Sequence, residues 1–86
     1  MENTAFIFFK NVHSSKFIEL EIPLDITAND LIISLNEIFE LGIDVEDIIN
    51  YYLISENPIA LIRGNKTLEQ FGVHNGTTIL FKKGEL

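Results

Sequence analysis

The chain has 86 residues, 13 of them acidic and 6 basic, for a net charge of −7, and its mean hydropathy is +0.22 with 47% hydrophobic residues. This length predicts one domain, residues 1–86, with a small core that buries about 60–65% of the unfolded surface, so the apolar excess should leave some greasy side chains outside. The acidity disfavours nucleic acid and anionic lipid as partners, and the absence of cysteine excludes disulfides, thiolate metal sites and a cysteine nucleophile.

MENTAFIFFK has no basic region ahead of its apolar run and no small-residue cleavage site, so no secretory signal is expected. No apolar run approaches the ~18 residues of a membrane span. The expectation is a cytoplasmic protein without direct membrane insertion.

Residues 5–10, AFIFFK, read as the first strand, and 16–22, KFIELEI, as the second. The second alternates, with Ile18, Leu20 and Ile22 on one side and Phe17, Glu19 and Glu21 on the other. The link NVHSS is short and polar, as a hairpin requires, and Pro23 ends the ladder because it has no amide to donate.

The stretch from Thr27 to Leu41, TANDLIISLNEIFEL, carries the only long helical periodicity. Thr27 suits the N-cap, and Asp30 the positive end of the helix dipole. Leu31, Leu35, Ile38 and Gly42 form one apolar stripe, widened by Ile32 and Phe39, while Asn29, Asn36, Glu37 and Glu40 face away. Gly42 is the expected C′ residue. One helix with one apolar face needs a sheet to lie on.

The following IDVEDI reads as loop with room for one helical turn. Residues 49–55, INYYLIS, are β-branched and aromatic and read as the third strand. Glu56-Asn57-Pro58 is a turn, and residues 59–62, IALI, form a short fourth strand. In residues 66–72, KTLEQFG, Thr67 can cap one helical turn with Leu68 and Phe71 packed inward. His74-Asn75-Gly76 is a turn, and residues 77–82, TTILFK, are the last strand. The tail, 83–86, is expected to be disordered.

The first and last strands are the most apolar, so they should be central, adjacent and parallel. The fold class is therefore α+β, a mixed five-stranded sheet with one main helix on one face: the β-grasp arrangement.

At this point the residues resemble ubiquitin. KFIELEI-P-LDIT is similar to its second strand, proline-containing link and threonine cap; KTLEQFGVHNGTTILF is similar to the segment running through a short turn to its last strand; and IFFKNV resembles its first strand. Conjugated members of that group and the sulfur carriers end in Gly-Gly, which must enter an activating enzyme and be adenylated. Lys83-Gly84-Glu85-Leu86 departs from that pattern, so the covalent modifier or sulfur carrier is the disfavoured alternative. Phe71 replaces a ring whose hydroxyl braces a loop in ubiquitin, which leaves packing alone to hold that turn.

Size, acidity and the run ENPIALIRGNKTLEQFGVHNGTTI are similar to the YukD/EsaB proteins, small free-standing ubiquitin-like components of bacterial type VII (WXG100) secretion systems. The resemblance implies a non-conjugated accessory or regulatory protein whose partners are proteins, the membrane-bound secretion machinery among them.

A β-grasp sheet has its helix on one face only. Aligned on the resemblance, the first strand puts Ala5, Ile7 and Phe9 under the helix and Phe6 and Phe8 on the other face; in the later strands Leu53, Ile79 and Phe81 face in and Tyr52, Ile54 and Leu80 face out, so Phe6, Phe8, Tyr52, Ile54 and Leu80 are a candidate protein-binding patch. Mutual shielding of these side chains, or a homodimer, would also account for them.

Chemistry finds no comparable constellation. His13 and His74 lie in turns far apart in sequence, without a third ligand. Ser14 and Ser15 read as hairpin residues. Asp44, Glu46 and Asp47 do not match a calcium loop, and the 63–66 run RGNK lacks a phosphate-loop pattern. No enzyme, cofactor or metal is expected. The acidic residues Glu37, Glu40, Asp44, Glu46 and Asp47 read as a solvated face or as a docking site for a basic partner.

Overall fold

A computed structural model describes residues 3–13 and 17–82. Ser14, Ser15, the predicted start of the second strand at Lys16 and the tail 83–86 lie outside the described residues.

Five strands form one mixed sheet: β1 (Thr4–Asn11), β2 (Phe17–Pro23), β3 (Leu53–Glu56), β4 (Ala60–Ile62) and β5 (Thr78–Phe81), with the helix α1 (Ala28–Phe39) after β2 and a 3-10 helix (Val45–Asn50) before β3. The spatial order is β2-β1-β5-β3-β4. β1 and β5 are adjacent and parallel, as the apolar patterns predict, and the other pairings are antiparallel.

α1 lies on the face carrying Ala5, Ile7 and Phe9, all three buried. The Phe39 ring stacks on Phe9 with centroids 5.3 Å apart. Ala28, Leu31, Ile32 and Leu35 form the buried stripe of the helix and close the core with Leu53, Ile62, Leu68, Ile79 and Phe81.

The helix start follows the sequence closely. Thr27 is extended and its Oγ1 accepts from the Asp30 amide at 3.1 Å. The first-turn amides that a helix leaves without intrahelical partners are taken up by the segment before the last turn: Ala28 N–H donates to the Lys66 carbonyl and Asn29 N–H to Gly64. Thr27→Ala is expected to lower stability by about 1 kcal/mol, read as an earlier urea midpoint with an unchanged slope.

The helix end differs from expectation. Glu40, not Gly42, is the left-handed cap, at φ 53°, and Ile38 is 67% exposed rather than on the buried stripe. The cause is Asn36, which does not face away. Its Nδ2 donates to the Ile43 carbonyl and its Oδ1 accepts from the Ile43 amide, at 3.2 and 3.0 Å. This two-point clip turns the chain back before another helical turn can form.

The third strand also begins later than residue 49. Residues 45–50 form the 3-10 helix, started by Asp44 Oδ1 accepting from the Glu46 amide and closed by Asn50 Nδ2 donating to Asp47 Oδ1 at 2.6 Å. Ile49 is consequently outside the sheet, 73% exposed.

The segment at 66–72 is not held by packing alone. Thr67 N–H donates to the Gln70 side chain at 2.8 Å while Thr67 Oγ1 accepts from the Gln70 amide at 3.2 Å, a reciprocal cap. Leu68 is fully buried, and the Lys66 ammonium sits 4.8 Å from the centre of the Phe71 ring. Gly76, at φ 93°, closes the 74–76 turn, where Asn75 Oδ1 accepts from the Phe6 amide and pins the turn to β1.

Candidate functional site

Strand pairing determines what the uncovered face presents. Phe17 on β2 lies opposite Lys10 on β1, Lys10 beside Leu80 on β5, Leu80 opposite Ile54 on β3, and Ile54 opposite Leu61 on β4. One rung thus crosses all five strands, and four of its five side chains are apolar. Pairs of this kind sit about 4.5–5.5 Å apart at Cβ, so Leu80 and Ile54 form a continuous surface.

Phe8 stands one step along β1, and its ring stacks on Phe17 with centroids 5.3 Å apart and planes 10° from parallel. Tyr52 precedes Ile54 by two residues and lies just ahead of β3. Phe8, Tyr52, Ile54 and Leu80 are all partly exposed and none is sunk into the core.

Of the five residues singled out from sequence, Phe8, Ile54 and Leu80 share the open face, while Tyr52 lies just ahead of β3. Phe6 shares the face and is 50% exposed, but it stands four residues from Lys10 along β1, about 13 Å from the apolar rung. Two members were missed. Phe17, 57% exposed, and Leu61, 48% exposed, extend the rung to both sheet edges. Strand parity was the available signal, since Phe17 alternates with the same period as Glu19 and Glu21.

The rest of the described surface offers little for chemistry. No group of three or more His, Asp or Glu side chains converges among the described residues. His74 Nδ1 lies 2.8 Å from the Asn75 carbonyl, and the His13 ring meets the Phe81 ring edge-on at 6.4 Å. The buried hydroxyls are already committed: Ser55 Oγ donates to the Pro58 carbonyl at 2.6 Å and Thr77 Oγ1 to the Asn57 carbonyl at 2.8 Å. A cleft of about 320 Å³ lies between the helix start and the 3-10 helix. Its guanidinium, from Arg63, donates to the Ile49 carbonyl at 2.6 Å.

The family model of YukD, described as a protein of the WXG100 protein secretion system (Wss), matches residues 12–80. The chain belongs to the YukD family. The match spans β2, the helix, β3, β4, the loop 63–77 and β5 as far as Leu80, and begins just after β1.

Solved structures with the same fold include the C-terminal ubiquitin-like domain of mouse tubulin-specific chaperone e, with a TM-score of 0.70 and 12% identity over 99% of this chain and 93% of that one. Ubiquitin from Caldiarchaeum subterraneum gives a TM-score of 0.65 and 15% identity over 96% of this chain and 99% of that one. A designed protein based on ubiquitin gives 0.67 and 16% over 98% and 94%. At these identities the likeness shows the β-grasp fold and nothing further. No curated protein is similar enough to this chain to match it.

A YukD-family chain is a ubiquitin-like module of type VII secretion, and no helix among the described residues is long and apolar enough to cross a membrane.

Proposed function

We propose that this YukD-family chain is a non-catalytic, non-conjugated interaction module of the cytoplasm, an accessory of the type VII secretion apparatus that docks a partner protein on the open face of its sheet. The observation that carries this reading is the apolar rung: Leu80 and Ile54 paired across β5 and β3, continued by Leu61 and Phe17, on the face opposite the helix. Aromatic and aliphatic anchors of this kind dominate binding energy when a partner excludes water from them.

The test is co-purification of the membrane-embedded secretion machinery with the tagged chain. Wild type is expected to bring it down, and Ile54→Asp to lose it while far-ultraviolet circular dichroism stays native. Retained co-purification by a folded Ile54→Asp variant would remove the face from consideration.

Non-conjugation belongs to the same proposal. The 86 residues contain no Gly-Gly pair, the substrate that an activating enzyme adenylates. Incubation with activating enzyme and ATP is expected to give no adenylate or thioester; an adduct on mass spectrometry overturns that half of the reading.

A further inference from the structure

We propose that a partner protein adds an extended segment to the free edge of β2, as a sixth strand seated between β2 and α1, with lysine or arginine at every second position. This site is separate from the open face and goes beyond the docking function argued for it.

β2 and β4 are the two edges of the sheet. β4 offers three residues and β2 seven. Among the described residues β2 pairs with β1 alone, so every second residue directs its amide and carbonyl away from the sheet. Bare edges of this kind take up extended peptides through main-chain hydrogen bonds, and alternate side chains set the specificity.

The notch beside that edge is apolar. On the side of β2 that faces the helix, Ile22 is buried but Leu20 and Ile18 stay partly exposed. Their partners on β1, Ala5, Ile7 and Phe9, are all buried. The helix therefore stops short of covering β2, and its own flank there is apolar too. Asn29 and Asn36 are seven residues apart, close to two turns, so they share a flank, the one bonded to Gly64 and Ile43. Gly64 follows β4, so that flank looks towards β4. Ile38 is two residues from Asn36, about 200° around the helix. It takes the opposite flank, towards β2, and is 67% exposed. A strand about 4.8 Å beyond β2 lays its inward side chains against Ile18, Leu20 and Ile38 and shields all three from water.

Charge selects the occupant. Glu19 and Glu21 are exposed on the other side of β2, which holds no basic residue. Across the ladder they meet Phe8 and Phe6, while Lys10 lies opposite Phe17. Thr4 Oγ1 donates to Glu21 at 2.7 Å, which orients that carboxylate without neutralising it. Lysine or arginine directly across from each glutamate forms a favourable pair, whereas like charges directly opposite are unfavourable. That disfavours a second copy of this chain. Two β2 strands joined antiparallel about Leu20, the register that uses all seven residues, set Glu19 of each copy opposite Glu21 of the other.

The probe is a synthetic seven-residue peptide alternating valine and lysine, capped at both ends and titrated into the isotope-labelled chain. Amide resonances of residues 18–22 and of Ile38 are expected to shift, with half-saturation near about 1 mM, while those of Ile54 and Leu80 stay in place. A peptide of the same composition with its lysines clustered should bind at least about fivefold more weakly. Methylating the amides of the valines, or those of the lysines, separates strand addition from charge attraction. One set should abolish binding and the other spare it, because only alternate amides face β2. Glu19→Lys with Glu21→Lys should switch the preference to a valine–glutamate peptide. Each reversal adds two charges, taking the net charge from −7 to −3, so bulk attraction does not account for binding an acidic peptide. Ile38→Ser should weaken the lysine peptide about threefold.

No shift at about 5 mM peptide, shifts centred on Ile54 and Leu80, equal binding of the clustered peptide, or a double variant that still prefers lysine overturns the proposal. So does self-association of the free chain with shifts at residues 18–22, which seats a second copy on this edge. Any of these failures leaves the open face standing, because Ile54→Asp tests that surface by itself.

Discussion

Phe81→Ala is expected to remove about 3–5 kcal/mol of stability, the largest loss from any single truncation of this core. The ring is 2% exposed and is the largest of the fully buried side chains. It belongs to β5, which pairs with β1 on one side and β3 on the other. Its backbone neighbours cannot move in to fill the space, because the Phe81 carbonyl accepts from the Val12 amide at 3.0 Å and Phe81 pairs with Asn11. The cavity therefore persists and adds to the lost transfer energy. A domain of this size has about 4–13 kcal/mol in total, so the variant should be close to its unfolding threshold at room temperature. Urea unfolding is the measurement. The midpoint should fall sharply with little change in slope, whereas Phe6→Ala, at a half-exposed ring on the open face, should move it by less than about 1 kcal/mol. A loss under about 1 kcal/mol at Phe81 would mean that the strands relax around the gap.

The helix start, β2 and the 74–76 turn could be read directly because their determinants are local. Thr27 needs only its own hydroxyl and the amide three residues on. The alternation in FIELEI needs only a sheet with one buried side. Two other features depended on residues farther along the chain, and a third was local but passed over. Gly42 was the natural candidate to end the helix, and it does adopt a positive φ of 78°, but the Asn36–Ile43 clip ends the helix two residues earlier and forces Glu40 into the same region. INYYLIS has the composition of a strand throughout, yet Ile49 and Asn50 are held in the 3-10 helix, where the Ile49 carbonyl accepts from Arg63, fourteen residues away. At 66–72, Thr67 is legible as a cap, and its reciprocal partner Gln70 stands at the spacing of a capping box, yet the missing phenolic hydroxyl drew the reading towards packing alone.

The patch shows the same division between local and non-local signals. Strand parity placed Ile54 and Leu80 on one face, and the likeness of the first strand to ubiquitin's placed Phe8 there with them. Which of them touch depends on register, and register depends on pairing. The parallel β1–β5 alignment sets Leu80 beside Lys10 and Phe8 beside Thr78, which puts a cation into the apolar rung, and the β1–β2 register sets Phe6 opposite Glu21, away from that rung. Neither consequence follows from any strand taken alone.

Leu80→Asp is expected to weaken partner binding by about 2 kcal/mol or more, roughly thirtyfold in affinity, without unfolding the chain. Leu80 sits at the middle of the apolar rung, on the middle strand of the sheet, with Ile54 directly across from it. A docked partner must strip water from this position, and a carboxylate there would be desolvated with little in return. The free protein tolerates it, because the side chain is only partly covered and Lys10 lies beside it. The neighbouring residue provides the internal control. Ile79 is fully buried on the same strand, so Ile79→Asp places an unpaired charge in the core and should unfold the domain outright. Adjacent positions, one chemical change and opposite readouts then separate a binding defect from a folding defect. Calorimetry or capture assays should show Leu80→Asp binding-deficient with a wild-type melting curve, and Ile79→Asp without a cooperative melt. If Leu80→Asp binds as wild type, the partner is held elsewhere on the molecule; if it fails to fold, Leu80 contributes to the core more than its position on the open face implies.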